Sequence, residues 1–200
     1  MRALVVCAAL AVLFCAAPAS AAEYHPSMRV GEYTDPPIGW VDFCKEKEHL
    51  YIECLVDDEA PKLAIFQEVW QTLLRVNQSV NEQIKPMGDL EHYGTPEKWA
   101  YPNDGYGDCE DYVLLKRKML IAAGLPRSAL LITVVKYREE GHAVLTVLTD
   151  RGEWVLDNIN KAVLPWEKTS YRFYKRQAAH NPNLWVVIHD QAAPPVAAVK

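Results

Sequence analysis

Apolar positions along the chain fall into three successive patterns. Leu63, Phe66, Trp70, Leu73, Val76, Val80 and Ile84 recur at steps of three and four residues, one face of a long helix that starts near Glu59 and ends before Pro86. The aromatic members of that stripe read as core. A second helix is predicted from Cys109 to Ala123, where Val113, Leu114, Leu120 and Ile121 keep helical spacing and Gly124 and Pro126 supply the stop. After it come short apolar or β-branched runs over residues 130–137, 143–148 and 153–156, separated by turn-forming stretches at 138–141 and 150–152. These predict antiparallel strands, residues 184–188 can add another, and residues 171–174 read as strand or loop. Helices followed by a sheet make an α+β domain.

Two stretches break the pattern. Residues 23–57 carry Pro26, Gly31, Pro36, Pro37 and Gly39 without a sustained period, and predict an irregular arm. Residues 87–107 are rich in Gly, Pro, Asn and Asp and form the longest predicted loop, leading straight into Cys109. Long loops inside compact domains are often functional.

The N-terminus changes the picture of where this domain works. Met1-Arg2, an apolar run over 3–17 and the small residues Ala19-Ser20-Ala21 have the order of a secretory signal cleaved after Ala21. The run is shorter than the ~20 residues of a membrane-spanning helix. The expected organisation is a signal over 1–21, one domain over 22–190, and a low-complexity, disordered tail over 191–200, with the mature chain periplasmic or secreted and not inserted in a membrane. A net charge of −5 with no Lys/Arg block argues against nucleic acid as a partner.

Of five cysteines, Cys7 and Cys15 leave with the signal, and Cys44, Cys54 and Cys109 remain. Cys44 and Cys54 are close enough in sequence for a disulfide that would be worth ~2–3 kcal/mol in the chain-entropy model. Cys109 is then the thiol left over, which by count alone is equally a buried free cysteine. Its place at a helix start favours the thiolate, through the unpaired N–H groups of the first turn. Asp108, Glu110 and Asp111 work against that, because negative neighbours raise a thiol pKa unless a cation neutralises them or they point away. The same acids also suit plain helix capping and a first helical turn.

A cysteine nucleophile needs an imidazole and a group to orient it. Of six histidines, His142, after Gly141 at the mouth of a strand, is the best placed, and Asp157 ends the next strand. Taken singly they are a strand-edge histidine and a turn former. A tight turn centred on Arg151-Gly152 would set Asp157 opposite Leu145 or Thr146, about 10–13 Å along the strand from His142. Twist, a bulge or a wider loop must close that gap.

The chain resembles the bacterial transglutaminase-like cysteine peptidases, the group of LapG-type periplasmic proteases. The resemblance rests on Gly39-Trp40 with Phe43-Cys44, Asn77 and Asn81, Trp99, Gly107-Asp108-Cys109-Glu110-Asp111, Lys116, His142-Ala143-Val144-Leu145 and Leu156-Asp157-Asn158. It implies a papain/transglutaminase-like fold, with a catalytic cysteine at a helix N-terminus packed on an antiparallel sheet. It also implies Cys109 as nucleophile, His142 as general base and acid, Asp157 as orienter, and calcium held by Asp108, Glu110 and Asp111. LapG-type proteins clip large surface adhesins and are sequestered by an inner-membrane receptor, so the resemblance implies a protein substrate of that kind and such a receptor. For the oxyanion, the expected donors are the Cys109 backbone N–H and a further group, with Trp99 as a candidate. Two alternatives stay open: transglutaminase-like acyl transfer to an amine, and a non-catalytic calcium-dependent binding module on the same fold.

Overall fold

Seven strands hydrogen-bond into one antiparallel sheet because the second half of the chain alternates buried and outward positions in runs joined by tight turns. The computed structural model describes residues 24–46, 53–56 and 63–189; the expected signal, the expected tail and His49 lie outside the described residues. In chain order the elements are β1 (Val30–Thr34), α1 (Ile38–Lys45), α2 (Gln67–Gln83), β2 (Lys85–Pro86), α3 (Asp89–Tyr93), β3 (Tyr106–Gly107), α4 (Cys109–Ala122), β4 (Leu130–Tyr137), β5 (Glu140–Thr149), β6 (Gly152–Leu156), β7 (Leu164–Pro165), β8 (Arg172–Ala178) and β9 (Asn181–Ile188). The large sheet runs β1-β9-β8-β4-β5-β6-β7, and β2 and β3 form a small parallel pair. Among the described residues no helix is long and apolar enough to cross a membrane.

α4 lies against β5 and α2 at the centre of the molecule. It buries Tyr112, Val113, Leu114 and Leu120, and also Glu110, Asp111, Lys116 and Arg117, so it is enclosed on nearly every side. Its main core joins Leu73, Val76 and Val80 of α2 to Leu130, Ile132, Leu145, Val147 and Leu156 of the sheet. The opposite sheet face carries a smaller cluster of Met28, Val135, Val144, Val155, Phe173 and Ile188. Gly124, at φ +89°, ends α4 in the left-handed region, and the Leu125 N–H donates back to Leu120 O at 3.1 Å.

Two expectations are corrected. The long helix begins at Gln67, because Leu63 exchanges backbone hydrogen bonds with Leu148 and Asp150 at the end of β5, and Ile65 N–H donates to Asp150 Oδ1 at 3.0 Å. Phe66 becomes the exposed N-cap residue. The arm is also less irregular than its prolines suggest. β1 pairs along β9 at the sheet edge, and α1, opened by Pro37, buries Trp40 and Phe43 in the main core.

Cys44 and Cys54 are joined, with Cα atoms 5.9 Å apart. Next to Cys54, Glu53 is fully buried and pairs with Arg117 Nη1 of α4; the same guanidinium donates through Nε to Leu130 O at 2.8 Å, and Tyr101 Oη–H donates to Glu53 Oε1 at 3.0 Å. The disulfide therefore staples the segment that neutralises a buried arginine on the helix of Cys109.

Candidate active site

α4 begins at Cys109, with Asp108 as its N-cap residue in extended conformation. The Asp108 side chain makes no capping bond, so capping does not account for it. Cys109 is half-buried, and its thiol donates to Glu110 Oε2 at 3.0 Å. On the other side, the Ala143 N–H of β5 donates to Cys109 Sγ at 3.4 Å. Cys109, Glu110, His142, Ala143, Glu97, Trp99 and Lys175 share a cavity of about 340 Å³. Burial pushes the thiol pKa well up, and the charge of Glu110 and its hydrogen bond add to the rise, opposed by the Ala143 N–H.

β5 and β6 settle the hairpin. Thr149 pairs with Gly152, so the turn residues are Asp150 and Arg151, one position earlier than expected, with Gly152 at φ +114°. Leu145 pairs with Leu156, and one step further Asp157 stands opposite Val144. His142 is two residues from Val144 on the same face, a diagonal neighbour about 7–8 Å away at Cα and within reach of two side chains. His142 Nε2 and Asp157 Oδ1 meet at 2.8 Å, both residues buried. The earlier turn shortens the predicted offset to a diagonal that the two side chains span; no bulge is needed.

Asp157 is saturated with donors. Oδ1 also accepts from the Ile159 N–H at 3.1 Å; Oδ2 accepts from the Asn160 N–H at 2.9 Å and from Tyr171 Oη–H. α2 holds its backbone: Asn77 Oδ1 accepts from the Asp157 N–H at 3.2 Å, and Asn81 Nδ2 donates to Asp157 O at 2.8 Å. Burial alone would raise the Asp157 pKa, but the hydrogen bonds from His142 and Tyr171 overcome it and hold the carboxyl below its usual value. With Nε2 engaged, Nδ1 is the ring nitrogen left for a thiol.

The acids behave otherwise. Asp89, Asp108 and Asp111 bring carboxylate oxygens within 4.8 Å of one another, as do Asp89, Glu97 and Glu110. Asp89 Oδ1, Asp108 Oδ1 and Asp111 Oδ2 are buried with no hydrogen-bond partner. The other oxygens of two of them anchor the loop, as Asp89 accepts from the Lys98 N–H and Asp111 from the Ala100 N–H at 2.8 Å. Burial, with the charge of Asp108 adding to it, lifts Asp111 to about 8 and Glu110 to about 9. Gly107 belongs to this cluster by exclusion, since a Cβ there would come within 2.6 Å of Asp111 Oδ2.

All three expected acids thus lie beside Cys109, and Asp89 and Glu97 join them. Sequence reading missed those two because they come from the loop twenty and twelve positions earlier, with no spacing that ties them to a helix N-terminus. Tyr171 was hidden in a stretch ambiguous between strand and loop. The Trp99 indole N–H is committed to Glu97 Oε1 at 2.7 Å, which takes it away from an oxyanion role; its ring packs over Gly39, where any Cβ would meet Trp99 Cδ1 at 2.2 Å. The other expected donor, the Cys109 N–H, stands at the first position of α4, where a helix leaves its N–H groups without intrahelical partners.

The family model described as bacterial transglutaminase-like cysteine proteinase matches residues 30–193. Among solved structures, calcium-bound LapG of Legionella pneumophila aligns with a TM-score of 0.52 at 24% identity, covering 62% of this chain and 73% of that one. The EGTA-treated form of the same protein aligns at 0.51 and 25%, covering 62% and 72%, and a further LapG structure at 0.50 and 26%, covering 59% and 68%. No curated protein sequence matches the chain.

Proposed function

The chain belongs to the bacterial transglutaminase-like cysteine proteinase family, and we propose that within it Cys109, His142 and Asp157 act as the catalytic triad of an exported endopeptidase. That it is a cysteine peptidase follows from the family; the residues, the cation and the substrate are our reading. The observation that carries it is the 2.8 Å bond from His142 Nε2 to a saturated Asp157, on the strand whose next N–H donates to Cys109 Sγ. In the reaction His142 Nδ1 takes the thiol proton and Cys109 Sγ attacks the peptide carbonyl carbon. His142 then gives that proton to the leaving amine, and water releases the acyl group from sulfur. The Cys109 N–H at the helix start faces the developing oxyanion.

Calcium fits the acids. Three buried carboxylate oxygens without partners, on groups whose pKa values burial has raised, are what a hard dication with oxygen ligands requires. Asp89, Asp108 and Asp111 would hold it, with Glu97 and Glu110 at its margin, and a LapG that aligns with this chain was solved calcium-bound. When bound it supplies positive charge that lets these acids ionise without raising the thiol pKa. The resemblance further supports a surface adhesin as substrate, an inner-membrane receptor as regulator, and a periplasmic or secreted location.

The decisive experiment compares surface and secreted proteins of cells making the parent chain or Cys109→Ala. Truncated products should vanish with Cys109→Ala; an unchanged pattern overturns the reading. One observation favours a second reading, a calcium-dependent binding module: the thiol is tied to Glu110 and its pKa raised. Failure of iodoacetamide to modify Cys109 at pH 6–8 with calcium present would select it.

A further inference from the structure

Strand β5 has two neighbours for part of its length and only one where it passes the thiol. On one side β4 pairs with it from Glu140 to Val147; on the other, β6 pairs only from Leu145 to Thr149. β6 ends at Leu156, and the next residue, Asp157, has its N–H and C=O committed to Asn77 and Asn81 of α2. Residues 140–144 of β5 are therefore an open edge beside Cys109.

An antiparallel strand turns the main-chain groups of alternate residues to alternate neighbours. Thr149 and Gly152 close the two-residue turn to β6, so Thr149, Val147, Leu145, Ala143 and Gly141 address the β6 side. The Ala143 N–H agrees with that parity, since it turns away from β4 and donates to Cys109 Sγ at 3.4 Å. Gly141, two residues and about 6.8 Å back along the strand, points its N–H and C=O the same way. Among the described residues neither group has a partner.

Gly141 lines the cavity that holds Cys109 and His142. Its φ lies outside the left-handed region, and a Cβ there would meet no atom within 4 Å. Neither strain nor crowding calls for glycine at this position. A glycine in a strand often marks a place where another backbone approaches closely.

We propose, resting on the peptidase reading above, that the open edge of β5 binds the main chain of the substrate. An extended segment lies beside Gly141, donates an N–H to Gly141 O and accepts from the Gly141 N–H, which sets a peptide carbonyl against Cys109 Sγ. Selection at this point reads the conformation of the chain. A helix, whose N–H groups are already spent, is refused, as is a proline at the paired residue, which has no N–H to give.

The test uses the full chain with calcium and acetyl-Ala-Ala-Ala-chloromethyl ketone, whose small side chains leave the main chain as its chief handle. The Cys109 thiolate displaces chloride and forms a carbon–sulfur bond, and intact mass follows the rate. Iodoacetamide, which alkylates the same sulfur without main-chain contacts, is the reference. Methylating each amide nitrogen of the probe in turn should slow its reaction roughly tenfold or more at one position, relative to iodoacetamide. Gly141→Pro, which deletes an N–H on an edge where no strand needs it, should slow the unmethylated probe by a similar factor. A flat N-methyl scan overturns the proposal, as does a Gly141→Pro chain that keeps the parent rate with the probe or loses rate equally toward both reagents. The scan is made on the unaltered chain, so it decides even if the proline variant fails to fold. A thiol inert to both reagents instead fails the peptidase reading itself, and this proposal with it.

Discussion

The two halves of the candidate site, a few ångströms apart, are in opposite states. Around Asp157 every carboxylate oxygen has donors from β5, from the loop that follows β6 and from the residue ahead of β8, and α2 secures the backbone. Around Cys109, three carboxylate oxygens are buried with none. Buried polar groups in folded proteins are normally satisfied, so the first half is finished by the polypeptide and the second is built for something the polypeptide does not provide. In the proposed triad, the base and its orienter are held by the polypeptide itself, while the acids around the proposed nucleophile are the part that a cation would complete.

The strongest way to break this comparison is in the finished half. Asp157→Asn keeps the shape but removes the charge that selects the His142 tautomer, and kcat should fall by about 10³–10⁴ at saturating calcium. A loss below tenfold, measured on the substrate found by proteome comparison, would show that the saturated carboxylate is only structural. The unfinished half should respond through the ligand instead. Asp89→Asn should weaken calcium binding by about 10–100-fold, seen by titration calorimetry, and leave activity recoverable at high calcium.

The smallest effect is on stability. Asp111 and Glu110 have folded pKa values of about 8 and about 9, above those of an unfolded chain. Between pH ~4.5 and those values the folded, calcium-free protein holds more protons than the unfolded one, so stability falls as pH rises. In EGTA, Tm should drop by roughly 5 °C or more from pH 5 to pH 8.5. Calcium should flatten that slope by taking the place of the protons; equal slopes with and without it would move the calcium site elsewhere.

Much of this was legible in the chain because it is local. The three- and four-residue spacing of Leu73, Val76 and Val80, the Gly124-Pro126 stop and the β-branched runs after it each encode their own element. Cys109 at a helix start, and His142 and Asp157 on consecutive strands, could be read in order. What stayed hidden depends on distant partners. One residue of turn register separated a 10–13 Å gap from a hydrogen bond. Asp89 and Glu97 reach the site through a loop whose path no periodicity describes, and β1 becomes a strand only because β9 is there to receive it. Asn77 and Asn81 entered only through the resemblance, and their partner, the backbone of Asp157, lies far along the chain.

The Glu53–Arg117 pair has a practical consequence for anyone preparing the protein. A guanidinium sealed in the core must be matched, and removing the partner of such a buried pair typically costs about 3–5 kcal/mol, a large part of a small domain's stability. Glu53 adjoins Cys54, so the disulfide adds to the Tyr101 hydroxyl and Arg117 in holding the segment that makes the match. Material expressed in a reducing cytosol, or stored with dithiothreitol to protect Cys109, trades one thiol's safety for the anchorage of the helix that carries it. The reagent of choice is one that shields a single free thiol and leaves an existing cystine alone.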